Sequence, residues 1–201
     1  AVRIFTDFGF AAFWLMPRVT DFRRLHPEAE VHIVASQGLE DALERDTDAA
    51  MLFGAREDFP DTARLLIPEC VVPVCTPGFL ERFGPFNDPA DFASAPLLHL
   101  ETTGKSRWLT WTTWLAAFGV TRPRAQGDLG LNTYGFVIQA ALAEQGVALG
   151  WRGLVDHHLD LGSLVAVGPE VTRNERGYWL VPSPTASSTT STLLDWLMNE
   201  T

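Results

Sequence analysis

Apolar positions along the first part of the chain alternate between a spacing typical of strands and one typical of helices. The alternation runs through these segments: VRIFT as strand, FAAFWLMPRVTDFRRLH as helix, EVHIVAS as strand, LEDALERD as helix and DAAMLFG as strand. This β–α–β–α–β order predicts a mostly parallel sheet with helices on its faces. Within the first helix, Pro17 marks either a break or a second helical start.

The alternation pauses in a segment rich in proline and phenylalanine and then begins again. LLIPECVVPVCTP is apolar, β-branched and interrupted by proline, which predicts a strand at a sheet edge or one that crosses between lobes. Further strands and helices are predicted at PLLHLE, WLTWTTWLAAFG, QGDLGL, YGFVIQAALAEQ, GVALGW, LVDHHLDLG, SLVAV, GYWLVPSP and TLLDWLMNE. Two α/β halves joined by a returning strand predict two lobes, residues 1–74 with 180–201 and residues 75–179.

The composition limits what this chain contacts. It has 201 residues, of which 46% are hydrophobic, and this is enough to bury a sizeable core. The net charge of −10 predicts that the surface repels nucleic-acid phosphates and anionic membranes. No apolar run approaches the roughly 20 residues that a membrane-spanning helix needs. We therefore expect a globular protein that by itself binds neither DNA nor a membrane.

The residue types that most often carry catalysis or metals have no suitable spacing. Cys70 and Cys75 lie at odd spacing on one predicted strand, so they point to opposite faces and predict no intrachain disulfide, in keeping with a reducing cytoplasm. His157 and His158 are adjacent on a predicted helix and point about 100° apart, which does not suit one metal ion. The familiar nucleophile, phosphate and dinucleotide motifs are not found, and the sequence predicts no catalytic residue, metal or cofactor.

Polar and aromatic residues follow the predicted strands at the positions where doubly wound α/β lobes bind ligands. The candidate ligand-binding residues are Asp7, Phe8 and Gly9 after the first strand, Ser36 and Gln37 after the second, Glu101 and Thr102 after PLLHL, and Asn132, Thr133 and Tyr134 before the long apolar helix. Each group alone is better explained as an ordinary helix cap. Their shared position favours a ligand site.

Tryptophans supply the other aromatic candidates. Trp111 and Trp114 lie three residues apart on one predicted helix face, a spacing more typical of core packing than of a ligand site. Trp151 lies at the end of GVALGW, just past the predicted strand, and is a candidate ligand-binding residue. The alternative for Trp151 is a packing role in the core.

Six segments in order resemble the effector-binding domain of LysR-type transcriptional regulators, over essentially the whole chain. They are GFAAFWLMPRVTDFRRLHPEAEVHI, DTDAAMLFG, VVPVCTPGFL, PLLHL, WTTWLAAFGV and QAALAEQGVALGWRGLVDHHLDLGSLV. The resemblance implies two Rossmann-like α/β lobes joined by two crossover strands near residues 71–76 and 165–181, a fold of the periplasmic-binding-protein type 2 kind. It also implies a small-molecule effector in the cleft between the lobes.

The resemblance further implies a homodimer or homotetramer in the cytoplasm. DNA is then bound only through an N-terminal winged helix-turn-helix, which this chain does not contain. The effector acts by rearranging the subunits. A solute-binding protein of a transporter has the same fold and is the alternative, and an enzyme on this fold is a third possibility.

A narrower resemblance, carried by FWLMPR, IVASQ and YGFVIQAALAEQGVALGWR, is to regulators of choline sulfate utilisation. It predicts choline, choline sulfate or a related quaternary ammonium effector, held by aromatic faces and a nearby carboxylate. Trp151 and Phe8 are the predicted faces, with Asp7 or Glu101 as the counter-charge. The anionic end of the effector is predicted at the backbone N–H groups near residues 36–37 or 132–133.

Overall fold

The computed structural model describes residues 1–38, 46–184 and 186–199. The helix predicted at LEDALERD lies almost entirely outside the described residues. The chain divides into two compact units, which we call unit I (Ala1–Glu69 and Arg173–Thr201) and unit II (Cys70–Thr172).

The described elements follow the predicted order closely. They are β1 (Val2–Thr6), α1 (Phe8–Phe10), a π-helical turn (Ala11–Leu15), α2 (Met16–Leu25), β2 (Val31–Ala35), β3 (Ala49–Ala55), β4 (Arg64–Cys75), α3 (Pro77–Phe83), β5 (Leu98–Leu100), α4 (Trp111–Ala116), β6 (Leu129–Leu131), α5 (Tyr134–Leu142), β7 (Ala148–Trp151), α6 (Asp156–Asp160), β8 (Val165–Ala166), β9 (Val171–Pro182) and α7 (Ser188–Asn199). Short 3-10 turns cover Arg56–Asp58 and Pro89–Ser94.

Unit I is built on a sheet in the order β2-β1-β3-β9-β4. Strand β1 is parallel to β2 and β3, as predicted, but β3 and β9 are antiparallel. The parallel pairing predicted for the first three strands is confirmed, and β9, which that pattern did not include, adds an antiparallel strand beside β3. Pro17 lies in the first turn of α2, where its missing N–H is tolerated, so it marks the second helical start and not a break.

Unit II combines antiparallel and parallel pairings. Strand β4 pairs antiparallel with β7 and β8, while β5 and β6 are parallel.

Cys70 and Cys75 lie on β4 as thiols, Cys75 buried and Cys70 partly exposed. In the described ranges, no helix combines the length and the apolar character needed to cross a membrane.

Candidate functional site

Unit II contains a pocket where β5 and β7 end and α5 begins, which we call the β5–β7 pocket. Its aromatic lining residues are Trp108, Trp111, Tyr134 and Trp151, and its polar ones are His99, Ser106 and Thr110. Leucine and valine side chains form the rest of the wall. The cavity volume is about 30 Å³. A water molecule needs roughly 10–15 Å³ of such space, so in this conformation the pocket takes a small functional group and not a whole metabolite.

Strand direction brings the pocket residues together. Leu98 of β5 is in register with Leu129 of the parallel strand β6. Leu97, just before β5, forms a parallel bridge with Val147, just before β7. These strands therefore end at one edge, where α/β folds usually bind ligands.

Thr133 begins α5 by an ordinary capping contact. Its side-chain oxygen accepts a hydrogen bond from the backbone N–H of Phe136 at 3.4 Å. This satisfies one of the N–H groups that a helix start leaves without an intrahelical partner. Asn132, immediately before it, is exposed. Thr133 is therefore a helix cap, and Asn132 lies at the surface.

Tyr134 connects the first turn of α5 to β7. Its hydroxyl donates to the carbonyl oxygen of Leu149 at 2.9 Å and accepts from the backbone N–H of Trp151 at 3.4 Å. The side chain is buried, and burial raises the pKa of the Tyr134 phenol well above its usual value. The hydroxyl therefore stays protonated and holds the helix against the end of the strand.

Trp151 is the last residue of β7, whereas the sequence predicts it just past the strand. It is 5% exposed, and its ring meets the Tyr134 ring edge to face, with centroids 5.5 Å apart. Its indole Nε1 is buried and has no hydrogen-bond partner among the described residues. Trp111, on the same pocket wall, donates its Nε1–H to the carbonyl oxygen of Leu98 at 3.0 Å. Two indoles of this pocket thus differ in whether their N–H group is satisfied.

His99 joins the pocket to a buried ion pair. Its Nε2 lies 3.1 Å from Oδ2 of Asp128, and Asp128 accepts two hydrogen bonds from Arg122, at 2.6 and 2.9 Å. The carboxylate of Asp128 is completely buried, and the Arg122 side chain is 5% exposed. Asp128 also accepts from the backbone N–H groups of Leu97 and Ala125. This network anchors the start of β5 to the loop before β6.

The network determines the charges near the pocket. Burial alone would raise the pKa of Asp128, but the hydrogen bonds from Arg122 and from two backbone N–H groups hold that pKa well below its usual range. Burial lowers the pKa of His99, against the opposing effect of Asp128. At neutral pH, His99 is uncharged, and none of the residues lining the pocket carries a permanent charge.

The sequence-predicted residues of unit II are only partly brought together. Tyr134 and Trp151 line the β5–β7 pocket, while Glu101, Thr102, Asn132 and Thr133 belong to adjoining segments outside its lining. Glu101 instead contacts Arg124, with a distance of 2.6 Å between carboxylate and guanidinium at the surface. The ligand-binding role of these four residues stays a prediction.

The sequence-predicted residues of unit I lie at the ends of β1 and β2. Asp7 caps α1 by accepting from the N–H of Phe10 at 2.8 Å, and Phe8 is 42% exposed while Gly9 is buried. Ser36 accepts from the N–H of Gly38 at 3.3 Å, and Gln37 follows it with its side chain partly exposed. Their ligand-binding role also stays a prediction.

Five polar or aromatic residues of the pocket lining were not among the sequence candidates: His99, Ser106, Trp108, Thr110 and Trp111. The core interpretation of the tryptophan stripe is confirmed for Trp114, which is fully buried, while Trp111 is buried and also lines the pocket. The WxxW spacing was the available signal, but spacing alone does not show which ring borders a cavity.

Within the described ranges, no cluster of His, Cys, Asp and Glu side chains has an arrangement that holds a metal ion.

Comparison with known proteins identifies similar sequences. The family model described as "LysR substrate binding domain" matches residues 1–201. The chain is similar to the glycine cleavage system transcriptional activator of Escherichia coli K12, with 32% identity over 174 residues that cover 86% of this chain and 55% of that protein. It is 28% identical over 192 residues to the transcriptional activator AmpR of Rhodobacter capsulatus, covering 95% of this chain and 63% of AmpR.

Solved structures show the same fold. The effector domain of AmpR from Pseudomonas aeruginosa superposes with a TM-score of 0.75 at 21% identity, covering 99% of this chain and 94% of that one. The predicted fold class, two Rossmann-like lobes of the periplasmic-binding-protein type 2 kind, is confirmed. This chain spans about half the length of the first curated relative, 55% of that protein.

Proposed function

We propose that this chain, which belongs to the LysR substrate-binding domain family, binds a small-molecule effector in the β5–β7 pocket and controls a transcription regulator of which it is one part. The observation that carries the site is the pocket itself, at the ends of β5 and β7 and lined by four aromatic side chains. Concave sites with mostly apolar walls and a few polar groups are the usual form of small-molecule sites.

In this proposal, DNA binding belongs to another part of the regulator. The net charge of −10 on this chain opposes the contacts with phosphates that non-specific DNA binding needs. We expect no duplex binding by this chain alone at physiological salt in a mobility-shift assay. Tight duplex binding would contradict this division of roles.

The effector acts on subunit arrangement in this proposal, with a homodimer or homotetramer in the cytoplasm as the working assembly. The relatives named above are transcriptional activators, which favours a regulator over the solute-binding protein of a transporter and over an enzyme. Sedimentation of this chain with and without effector measures the assembly. A monomer under both conditions would contradict the assembly proposed here.

A quaternary ammonium effector is the narrower hypothesis. The aromatic rings of the pocket lining are the observation in its favour, because aromatic faces attract such cations, but a trimethylammonium group is larger than the cavity of about 30 Å³. The predicted counter-charges are not part of the pocket lining, since Glu101 contacts Arg124 and Asp7 belongs to unit I. Neither relative named above is described as a regulator of choline sulfate utilisation.

A thermal-shift screen tests the proposal. The panel contains choline, choline sulfate, glycine betaine and 3,3-dimethylbutanol, which has the shape of choline without its charge. A ligand at 100 times its dissociation constant stabilises the folded state by about 2.7 kcal/mol. A shift with choline but none with dimethylbutanol supports the cation hypothesis, and equal shifts contradict it.

The variant Leu161→Ala serves as the control, since Leu161 is 67% exposed in unit II and does not line the pocket. It should respond to a ligand as the unmodified chain does. The variant Trp108→Ala changes the pocket wall and should reduce the response. If an extended metabolite panel produced no shift, or if Trp108→Ala kept the full response, the pocket would not be the effector site.

A further inference from the structure

The indole N–H of Trp151 is a hydrogen-bond donor that the described part of the chain leaves without an acceptor. Trp151 is 5% exposed, and its Nε1 is buried without a hydrogen-bond partner among the described residues. Buried donors in folded proteins are nearly always paired, with protein, water or ligand. Its ring packs edge to face with the Tyr134 ring, with centroids 5.5 Å apart, and this contact fixes the position of the indole.

The β5–β7 pocket borders this residue and has the size of one small group. Its volume of about 30 Å³ holds roughly two water molecules or one functional group of similar size. An oxygen acceptor such as one carboxylate, sulfate, carbonyl or hydroxyl oxygen meets this limit. A trimethylammonium group is larger and has no atom that accepts a hydrogen bond.

Four other polar side chains of the pocket lining have hydrogen-bond partners within the protein. The N–H of Trp111 is donated to Leu98, the hydroxyl of Ser106 to the carbonyl oxygen of Trp108 at 3.1 Å, and Thr110 exchanges contacts with Thr113. His99 is bound to Asp128 through Nε2. Among the lining residues, Trp151 is the one whose buried side-chain donor has no hydrogen-bond partner in the described part of the chain.

We propose that Trp151 determines effector specificity by donating its indole N–H to an oxygen acceptor of the effector, so that the oxygen-bearing end of the molecule enters the β5–β7 pocket. This inference rests on the proposed function and adds to it the chemical class and orientation of the effector. Any cationic end then lies outside the pocket. Compounds that offer only an ammonium or alkyl group are excluded from it.

A titration followed by ¹⁵N–¹H spectra of the indole groups tests this inference with simple probes, before the effector is identified. The chain has seven tryptophans, and the resonance missing from Trp151→Phe identifies Trp151. The probes are acetate, dimethyl sulfoxide and tetramethylammonium chloride. We expect a downfield shift of the Trp151 N–H with acetate and dimethyl sulfoxide and none with tetramethylammonium. An unchanged Trp151 resonance with both oxygen acceptors, or an equal shift with tetramethylammonium, overturns the inference.

Trp114 provides the matched control. Its Nε1 is also buried without a partner among the described residues, but Trp114 does not line the pocket. Its resonance should not respond to any of the three probes. A shift of Trp114 as large as that of Trp151 would mean that the probes act on buried indoles in general, and the inference would be wrong.

Affinity measurements distinguish the failure of this inference from the failure of the proposed function. For a compound identified in the thermal-shift screen, we expect Trp151→Phe to weaken binding roughly 3- to 10-fold, the value of one hydrogen bond, and Trp114→Phe to leave it unchanged. An aromatic-face contact with a cation predicts that Trp151→Phe retains most of the affinity. Equal affinity of the unmodified chain and Trp151→Phe would overturn the inference and leave the proposed function intact. If no compound binds and the Trp151 resonance does not shift, both are wrong.

Discussion

Trp114 and Trp151, both in unit II, each have a buried indole N–H group without a hydrogen-bond partner among the described residues, but their surroundings differ. Trp114 lies in an aromatic cluster, with ring centroids 4.8 Å from Phe118, 5.5 Å from Phe92 and 5.6 Å from Trp111. Trp151 packs on Tyr134 but also borders a cavity.

The two residues show that burial and an unsatisfied donor do not by themselves identify a binding residue. The apolar surface that the Trp114 ring removes from water stabilises the fold, and this gain offsets the cost of leaving its one N–H donor unpaired. At Trp151, the same donor belongs to a residue that lines the β5–β7 pocket. The adjoining space, and not the residue type, is what distinguishes the role proposed for Trp151 from the core role of Trp114.

The largest expected effect is at the aromatic cluster. Trp114→Ala should lower the free energy of unfolding by about 3–5 kcal/mol, because it removes a fully buried ring and leaves a cavity. Urea unfolding followed by circular dichroism measures this loss. The exposed Leu161→Ala should change stability by no more than about 0.5 kcal/mol. A loss below about 1 kcal/mol for Trp114→Ala would contradict the role of Trp114 as a core residue that stabilises the fold.

The next effect concerns the ion pair behind the pocket. Asp128→Asn should cost about 3 kcal/mol, the lower end for breaking a buried pair, because the amide oxygen still accepts a hydrogen bond while the Arg122 charge loses its partner. Urea unfolding at pH 7 measures the cost. If Asp128→Asn leaves the free energy of unfolding unchanged, the Arg122 guanidinium reaches water in the variant, and the pair is not needed to stabilise the pocket wall.

The same pair predicts a pH dependence. The pKa of Asp128 in the folded state is below its unfolded value of about 3.9, so its stabilisation is present above that value and is lost as the pH falls towards the folded pKa. Below about pH 4, the unmodified chain should therefore lose stability more steeply than Asp128→Asn. Unfolding curves measured between pH 3 and pH 7 compare the two slopes, and parallel curves would contradict the prediction.

A smaller effect is expected at the contact between α5 and β7. Tyr134→Phe keeps the ring against Trp151 but leaves the carbonyl oxygen of Leu149 and the N–H of Trp151 without the hydroxyl. We expect a loss of about 1–3 kcal/mol, typical of a buried polar group left unpaired. The Trp151 indole resonance should move as well. If neither the Trp151 resonance nor the free energy of unfolding changes, the Tyr134 hydroxyl does not hold α5 against β7 at the pocket.

The smallest effect is expected at the surface of the same unit. Glu101→Gln removes a pair with Arg124 in which both side chains are about half exposed, 52% and 50%. Solvent and salt screen such pairs, so the cost should be about 0–1 kcal/mol and should shrink in high salt. Unfolding at low and high salt measures this change. A loss as large as that of Asp128→Asn would contradict the contrast between the exposed and the buried pair.

The sequence predicted most strands and helices well because their periodicity is local. The apolar spacing of residues 134–142 and the cap at Thr133 are properties of a few neighbouring residues, and the structure confirms both. The sequence made no prediction of the direction of β9. Its antiparallel pairing with β3 joins residues more than 120 positions apart, such as Ala49 with Pro182 and Ala55 with Arg176, and no local pattern encodes that choice.

By itself, the sequence determined the order of elements, since this follows from apolar patterns along the chain, and it determined the family and the fold class through its resemblance to known regulators. Only the tertiary structure decided which indole borders a cavity and which carbonyl or carboxylate each polar group meets. Trp111 and Trp151 are 40 positions apart, and they share a wall because the strands before them end at the same edge. His99 is tied to Asp128 for the same reason, because hydrogen-bond partners are set by strand register and not by neighbours in sequence.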